Sequence, residues 1–218
     1  MIKGLSNATQ DYLKEIHKLR LEGRRATTSA IAERLGVRPP SATAMVKKLA
    51  ALGLAEHAPY RGVELTQAGE RVALEVIRHH RLLEQYLAQA LGLPLDEVHI
   101  EADRLEHALS EELEARIDRS LGYPTHDPHG DPIPDRDLKL DRSRLKTLAS
   151  LEPGEEAVVQ RVPSDDDELL RYLKTLALVP GRKVKLRSAA PFGGPITVRV
   201  GKAEHAISRE LAAGIGVA

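Results

Sequence analysis

The stretch Thr28-Ser29-Ala30-Ile31-Ala32-Glu33-Arg34-Leu35-Gly36-Val37-Arg38-Pro39-Pro40-Ser41-Ala42-Thr43-Ala44-Met45-Val46-Lys47-Lys48-Leu49 reads as two short helices around a tight turn. Thr28 can cap a helix that carries Ile31 and Leu35 inward, and Gly36 can end it in the left-handed conformation that a Cβ opposes. Pro40 and Ser41 then open a second helix with Met45, Val46, Leu49 and Leu52 on its inner face and Gly53 as its stop. Upstream, Tyr12, Ile16 and Leu19 recur at helical spacing from about Asn7 to Glu22. Downstream, Leu54 to Leu65 reads as two short strands around a turn at Pro59 to Gly62. Three helices and a hairpin over residues 1–65 make a winged helix-turn-helix.

That arrangement has a physical use, because the major groove of DNA admits one α-helix whose N-terminal residues meet base edges. The candidate DNA contacts are Thr28, Arg38, Pro40, Ser41, Thr43, Ala44, Lys47 and Lys48, with Tyr60 and Arg61 at the tip of the wing. Small side chains and hydroxyls approach bases closely but discriminate weakly. Modest direct readout, apolar contact with thymine methyls and strong dependence on phosphate contacts are expected. Residues 1–64 hold 11 basic and 6 acidic side chains, in keeping with an anionic partner.

Beyond Thr66 the pattern is helical. One long helix reaches about Leu91, with Val72, Val76, Ile77, Leu83 and Leu87 as its apolar stripe. A second spans roughly Leu95 to Leu109, and Ser110 caps a third to Leu121. Residues 66–122 thus form a helical domain. Residues 123–150 read as a linker, with Pro124, Pro128, Pro132 and Pro134 and no apolar period. Residues 151–218 alternate as strands at Ala157–Val162, Lys183–Arg187, Ile196–Val200 and His205–Ser208 around one helix from about Asp166 to Leu176. The fold class is mainly α with a small β domain at the C-terminus.

The chain of 218 residues has 32 basic and 32 acidic side chains, but the charge is segregated. Residues 65–140 carry 8 basic and 16 acidic groups and six of the nine histidines. A basic block beside an acidic, histidine-rich one fits an anion-binding module joined to a cation-binding one. With no Cys, disulfides, thiolate zinc sites and thiol nucleophiles are excluded. Aromatics at 3% rule against stacking platforms for bases. No apolar run approaches a membrane span and no signal-peptide core opens the chain, so a cytoplasmic location without membrane contact is expected.

The acidic block contains a metal-ligand pattern. His80 and Glu84 stand four apart on one helix face, and the next helix carries His99, Asp103, Glu106 and His107. Three imidazoles and three carboxylates without sulfur suit a divalent first-row ion, and the oxygen content favours a hard one such as Mn2+. Such a face is costly to bury without a cation. His79 is expected to point off this face into solvent, and His126 and His129 fall in the linker.

Taken together, Ala30 to Leu35, Pro40 to Leu49, Tyr60 to Thr66, His79 to Glu84 and Glu101 to Ser110 resemble the diphtheria-toxin repressor family of metal-dependent regulators, most of all its manganese-responsive branch. Leu176 to Gly181 and Ala190 to Pro195 resemble that family's SH3-like third domain, also seen in ferrous-transport accessory proteins. The resemblance implies one metal site on His80, Glu84 and His99, with a possible acceptor from the third domain near Asp165-Asp166-Asp167. It implies a second on Asp103, Glu106, His107 and, from the first helix, Asp11. Iron-responsive members have methionine and cysteine where this chain has Asp11 and Asp103, so the resemblance favours manganese. Lys14 departs from the pattern, standing where manganese-responsive relatives have a glutamate.

The function so implied is a homodimeric, Mn2+-activated repressor of metal-uptake genes with two ions per subunit, no small-molecule substrate and a palindromic operator in double-stranded DNA. Residues 66–122 would then bind metal and dimerise. An ion between Asp11 and the dimer domain would clamp the reading helices in register. The alternatives are an iron- or zinc-responsive regulator of the same build, a DNA-binding protein with purely structural ions, and a binuclear metallohydrolase. The last is disfavoured because His-Glu-x-x-His, Gly-x-Ser-x-Gly and a phosphate loop are all absent from the sequence.

Overall fold

A computed structural model of the chain describes residues 4–58, 62–141, 143–163 and 166–218. The elements are α1 (Asn7–Leu21), α2 (Thr28–Arg34), α3 (Pro39–Ala51), β1 (Ala55–Ala58), β2 (Gly62–Leu65), α4 (Gln67–Leu91), α5 (Leu95–Leu105) and α6 (Glu111–Ser120). They continue with β3 (Lys146–Thr147), β4 (Glu156–Arg161), α7 (Asp167–Thr175), β5 (Lys183–Ala189), β6 (Ile196–Val200), β7 (Ala203–Ile207), α8 (Arg209–Gly214) and β8 (Gly216–Val217). Two compact units result. One runs through His80 and includes Leu105–Glu111 and Pro134–Leu140. The other comprises Arg81–Arg104, Glu112–Ile133 and Asp141–Ala218. Among the described residues no helix is long and apolar enough to cross a membrane.

In the first unit, α1 begins where the Ser6 hydroxyl accepts from the Thr9 amide. Its period carries Leu13, Ile16 and Leu19 into the core with no exposed surface. The turn after α2 is a Schellman motif. Gly36, at φ +62°, donates to Glu33 O and Val37 donates to Ala32 O, which satisfies the last carbonyls of the helix. The α2 cap is Thr27, not Thr28: the Thr27 hydroxyl accepts from the Ala30 amide at 3.1 Å and Thr28 is the first helical residue. Pro39 and Pro40 occupy the opening of α3, where an absent N–H costs nothing. Ala42, Val46 and Leu49 are buried there and Met45 is half-buried, but Leu52, expected inward, is 49% exposed because it is the C-cap beyond the last inward turn.

β1 and β2 pair antiparallel from Ala55↔Leu65 to Ala58↔Gly62, and Val63 donates to Ala26 O. The wing tip, with Tyr60 and Arg61, lies outside the described residues. Thr66 caps α4 by accepting from Gly69, whose bare Cα is needed because a Cβ would stand 1.9 Å from Leu54 O. The expected stripe Val72, Val76, Ile77, Leu83 and Leu87 is buried.

In the second unit the C-terminal domain is a six-stranded antiparallel sheet in the order β3-β8-β4-β5-β6-β7, an SH3-like arrangement over an aliphatic core of Leu148, Val159, Leu173, Leu178, Leu186 and Val198. The expected linker is not a free one. Asp127 Oδ1 accepts from the amides of His129 and Asp131, and His126 bridges Pro132. Gly130, at φ +89°, rests so close to β4 that a Cβ would meet Gln160 O at 1.8 Å, and His129 O accepts from Val162. Such loops are held by turn chemistry and have no apolar period to read.

Candidate metal centre and DNA-reading face

α5 stops at Leu105, short of the expected Leu109, so Glu106 and His107 sit in a turn and not on the helix face that carries His99 and Asp103. From that turn each meets a partner on α1. His107 Nε2 lies 2.9 Å from Asp11 Oδ1 and 3.4 Å from Glu106 Oε1. Asp11, Glu106 and His107 each present a ligand atom within 4.8 Å of the others. Residues 95 or more apart in sequence are thereby joined in one unit.

Gln10 orients this cluster. Its amide nitrogen donates to Leu5 O at 3.2 Å, which turns its oxygen toward His107 Nδ1 at 2.8 Å. Nδ1 must therefore carry the hydrogen. Nε2 then faces the Asp11 carboxylate with a lone pair unless a second proton or a metal ion sits on it. Two carboxylates and an imidazole nitrogen directed together fit a hard divalent ion.

Glu106 is 1% exposed and uses both oxygens: Oε1 accepts from Lys14 Nζ at 2.6 Å, and Oε2 lies 2.6 Å from His80 Nδ1. Burial raises its pKa, but the hydrogen bond with His80 and the charge of Lys14 outweigh that and hold the carboxyl below its ordinary value. His79, expected in solvent, is 3% exposed and its Nδ1 lies 3.1 Å from Glu106 O, since this part of α4 is covered on more than one side.

The second unit holds three of the expected ligands, Glu84, His99 and Asp103. Glu84 is buried, and its Oε1 lies 3.1 Å from His99 Nδ1 and 3.8 Å from His129 Nε2. Asp103, expected beside Glu106 and His107, instead faces His99 one turn back on α5, at 3.6 Å. His129, expected in a linker, is fully buried. Asp127 is buried beside it. Desolvation, then the charges of Glu84 and Asp131, push its carboxyl well above the usual range against the pull of Arg81. Its only sequence signal was a Pro- and Asp-rich run, which ordinarily marks solvent-facing turns. In the acidic stretch before α7, Asp166 is the helix cap, accepting from Glu168 and Leu169, and Asp165 lies outside the described residues.

On the reading face, Arg38, Pro40, Ser41, Thr43, Ala44, Lys47 and Lys48 are all exposed along α3, and Thr28 is half-buried at the start of α2. The Thr43 hydroxyl donates to Pro39 O at 3.0 Å. Arg38 makes no side-chain cap to its own helix.

Comparison with known proteins matches three family descriptions along the chain. Residues 4–63 match "Iron dependent repressor, N-terminal DNA binding domain", residues 66–135 "Iron dependent repressor, metal binding and dimerisation domain", and residues 146–218 "FeoA domain". The iron-dependent repressor IdeR of Mycobacterium leprae (strain TN) is 35% identical over 225 residues, covering 98% of this chain and 97% of the relative. A solved manganese-dependent transcriptional repressor in complex with manganese is 37% identical, with a TM-score of 0.86 over 96% of this chain and 98% of that one. The manganese regulator SloR superposes with a TM-score of 0.81 at 31% identity, covering 96% and 97%.

Proposed function

The chain belongs to the iron-dependent repressor family of metal-dependent transcriptional repressors, and from that premise we propose that its activating ion is Mn2+, with Fe2+ and Zn2+ as the alternatives. It is a DNA-binding homodimer and not an enzyme, which sets the metallohydrolase alternative aside. Two ions bind each subunit. One is held by Asp11, Glu106 and His107. The other is held by Glu84 and His99, with Asp103, Asp127 and His129 as the remaining candidate ligands. The observation that carries this reading is the meeting of Asp11 Oδ1 and His107 Nε2 at 2.9 Å, with Gln10 fixing the ring tautomer.

A bound ion supplies the positive charge that lets these carboxylates and imidazoles share a small volume. The chain's own residues supply the rest. Asp11 belongs to α1, against which α2 and α3 pack, whereas Glu106 and His107 belong to the turn after α5. Drawing the three together ties the reading domain to the segment that follows α5 and fixes where α3 presents Ser41, Thr43, Ala44, Lys47 and Lys48. Tyr60 and Arg61 add backbone contacts from the wing, with Thr28 and Arg38 at the helix starts. A dimer arranged so reads a palindromic operator, and repression of metal-uptake genes in the cytoplasm is its task. For the switch to move from 1:99 to 99:1, the ion must bind the DNA-competent arrangement about 10⁴-fold more tightly than the open one.

Equilibrium binding of a labelled operator at fixed salt, titrated in turn with Mn2+, Fe2+ and Zn2+, tests this. Tight binding that needs Mn2+ at the lowest free concentration supports manganese. Preference for another ion reassigns the metal, and affinity indifferent to chelator overturns the switch.

A further inference from the structure

We propose that Lys14 is a built-in cation that competes with the metal ion for Glu106 and so sets the ion concentration at which the switch engages. The inference rests on the metal-site reading of Asp11, Glu106 and His107 given above.

Lys14 and Asp11 lie three residues apart on α1, so they stand on the same face of that helix. The Lys14 side chain is only 7% exposed, and its Nζ lies 2.6 Å from Glu106 Oε1. An ammonium so enclosed is costly to bury without a matching anion, and the Glu106 carboxylate meets it directly. The other carboxylate oxygen is engaged by His80 Nδ1 at 2.6 Å. An ion that draws on Glu106 Oε1 therefore has to displace the ammonium from that oxygen or share the oxygen with it. Sharing sets two cations side by side in a site shielded from water, where repulsion is strong.

The charge count points the same way. Counting the carboxylates and the ammonium alone, Asp11 and Glu106 together match one divalent ion, whereas Lys14 leaves only a single negative charge to meet it. The lysine stem, with its rotatable bonds, suits a group that must hold one position without the ion and swing from it with the ion. Lys14 thus has two effects: it keeps Glu106 neutralised in the ion-free chain, and it makes every ion bind more weakly than the carboxylates alone would allow.

The test is calorimetric titration of metal-free, full-length protein with MnCl2, in wild type, Lys14→Met, Lys14→Gln and Asp11→Ala, with thermal melts of each metal-free protein. The two neutral variants are expected to bind the Asp11-dependent ion at least about tenfold more tightly and to melt earlier without metal. Lys14→Gln keeps a donor at the position and carries the test if Lys14→Met does not fold. Equal or weaker ion binding in a folded neutral variant overturns the competition. If Asp11→Ala removes one of the two binding events while the neutral variants match wild type, only this inference fails. If Asp11→Ala binds as wild type does, the metal-site reading fails and the inference falls with it.

Discussion

Gln10 Oε1 and His107 Nδ1 lie 2.8 Å apart although the residues are 97 positions distant in the chain. The contact fixes which nitrogen of His107 is presented to Asp11, as carboxylate or amide partners do for metal-binding imidazoles generally. Gln10→Leu, which keeps the bulk and removes the acceptor, is expected to weaken Mn2+ binding by about 10- to 100-fold. Titration calorimetry on the metal-free protein measures this, and an unchanged dissociation constant would mean the ring is held by other contacts.

Asp11→Ala and His107→Ala each remove a member of the cluster that joins α1 to the turn after α5. Both are expected to abolish metal-dependent operator binding, while metal-free circular dichroism and melting stay close to wild type. Either variant that still tightens on the operator with Mn2+ in a fluorescence-anisotropy titration contradicts the clamp.

Glu106 supplies a pH dependence. Its carboxyl is held below the ordinary value in the folded chain because the His80 hydrogen bond and the Lys14 charge outweigh the cost of burial. A carboxylate with a depressed folded pKa contributes stability that is present above its unfolded pKa and disappears as pH falls through the folded one. Glu106→Gln removes the negative charge that meets Lys14 Nζ, and breaking such a buried pair costs about 3–5 kcal/mol at neutral pH. Denaturation of the metal-free proteins across acid pH is expected to show the gap between variant and wild type closing as pH falls. A gap constant with pH would show that the carboxylate charge is not what stabilises this turn.

Gly130→Ala tests whether the Thr125 to Ile133 loop is an integral part of the second unit. The added methyl would stand 1.8 Å from Gln160 O at a φ of +89°, so both contact and backbone oppose it. A loss of about 2–4 kcal/mol is expected, in the range of the larger single-site effects, and would appear as an early unfolding transition in denaturant. A change below about 0.5 kcal/mol, typical of surface sites, would mean the loop moves aside freely.

The reading domain was legible because helical periodicity and glycine stops coincide: Ile16, Leu19, Val46 and Leu49 are inward where their spacing put them, and Gly36 ends α2 in the conformation only glycine takes readily. The strands of the C-terminal domain were visible in their alternation for the same reason. Thr27 and Thr28 are adjacent hydroxyls, and nothing local distinguishes which one caps. The second half of the site was harder, because its geometry is tertiary. Glu106 and His107 keep helical spacing from His99 and Asp103 but leave the helix for partners on α1. Lys14 and Gln10 look like ordinary members of a solvated helix face until their distant partners are known. His129 and Asp127 lie in a proline-rich run whose burial comes from neighbours on α4 and β4 and leaves no periodic mark.

Asp11, Glu106 and His107 present only oxygen and nitrogen, and the chain has no cysteine anywhere. A thiolate ligand climbs to sulfenic and sulfinic acid under hydrogen peroxide and loses its grip on metal as it does. This cluster has no thiol to climb that ladder. During an oxidant burst, the regulator's readout of ion supply is therefore insulated from thiol chemistry.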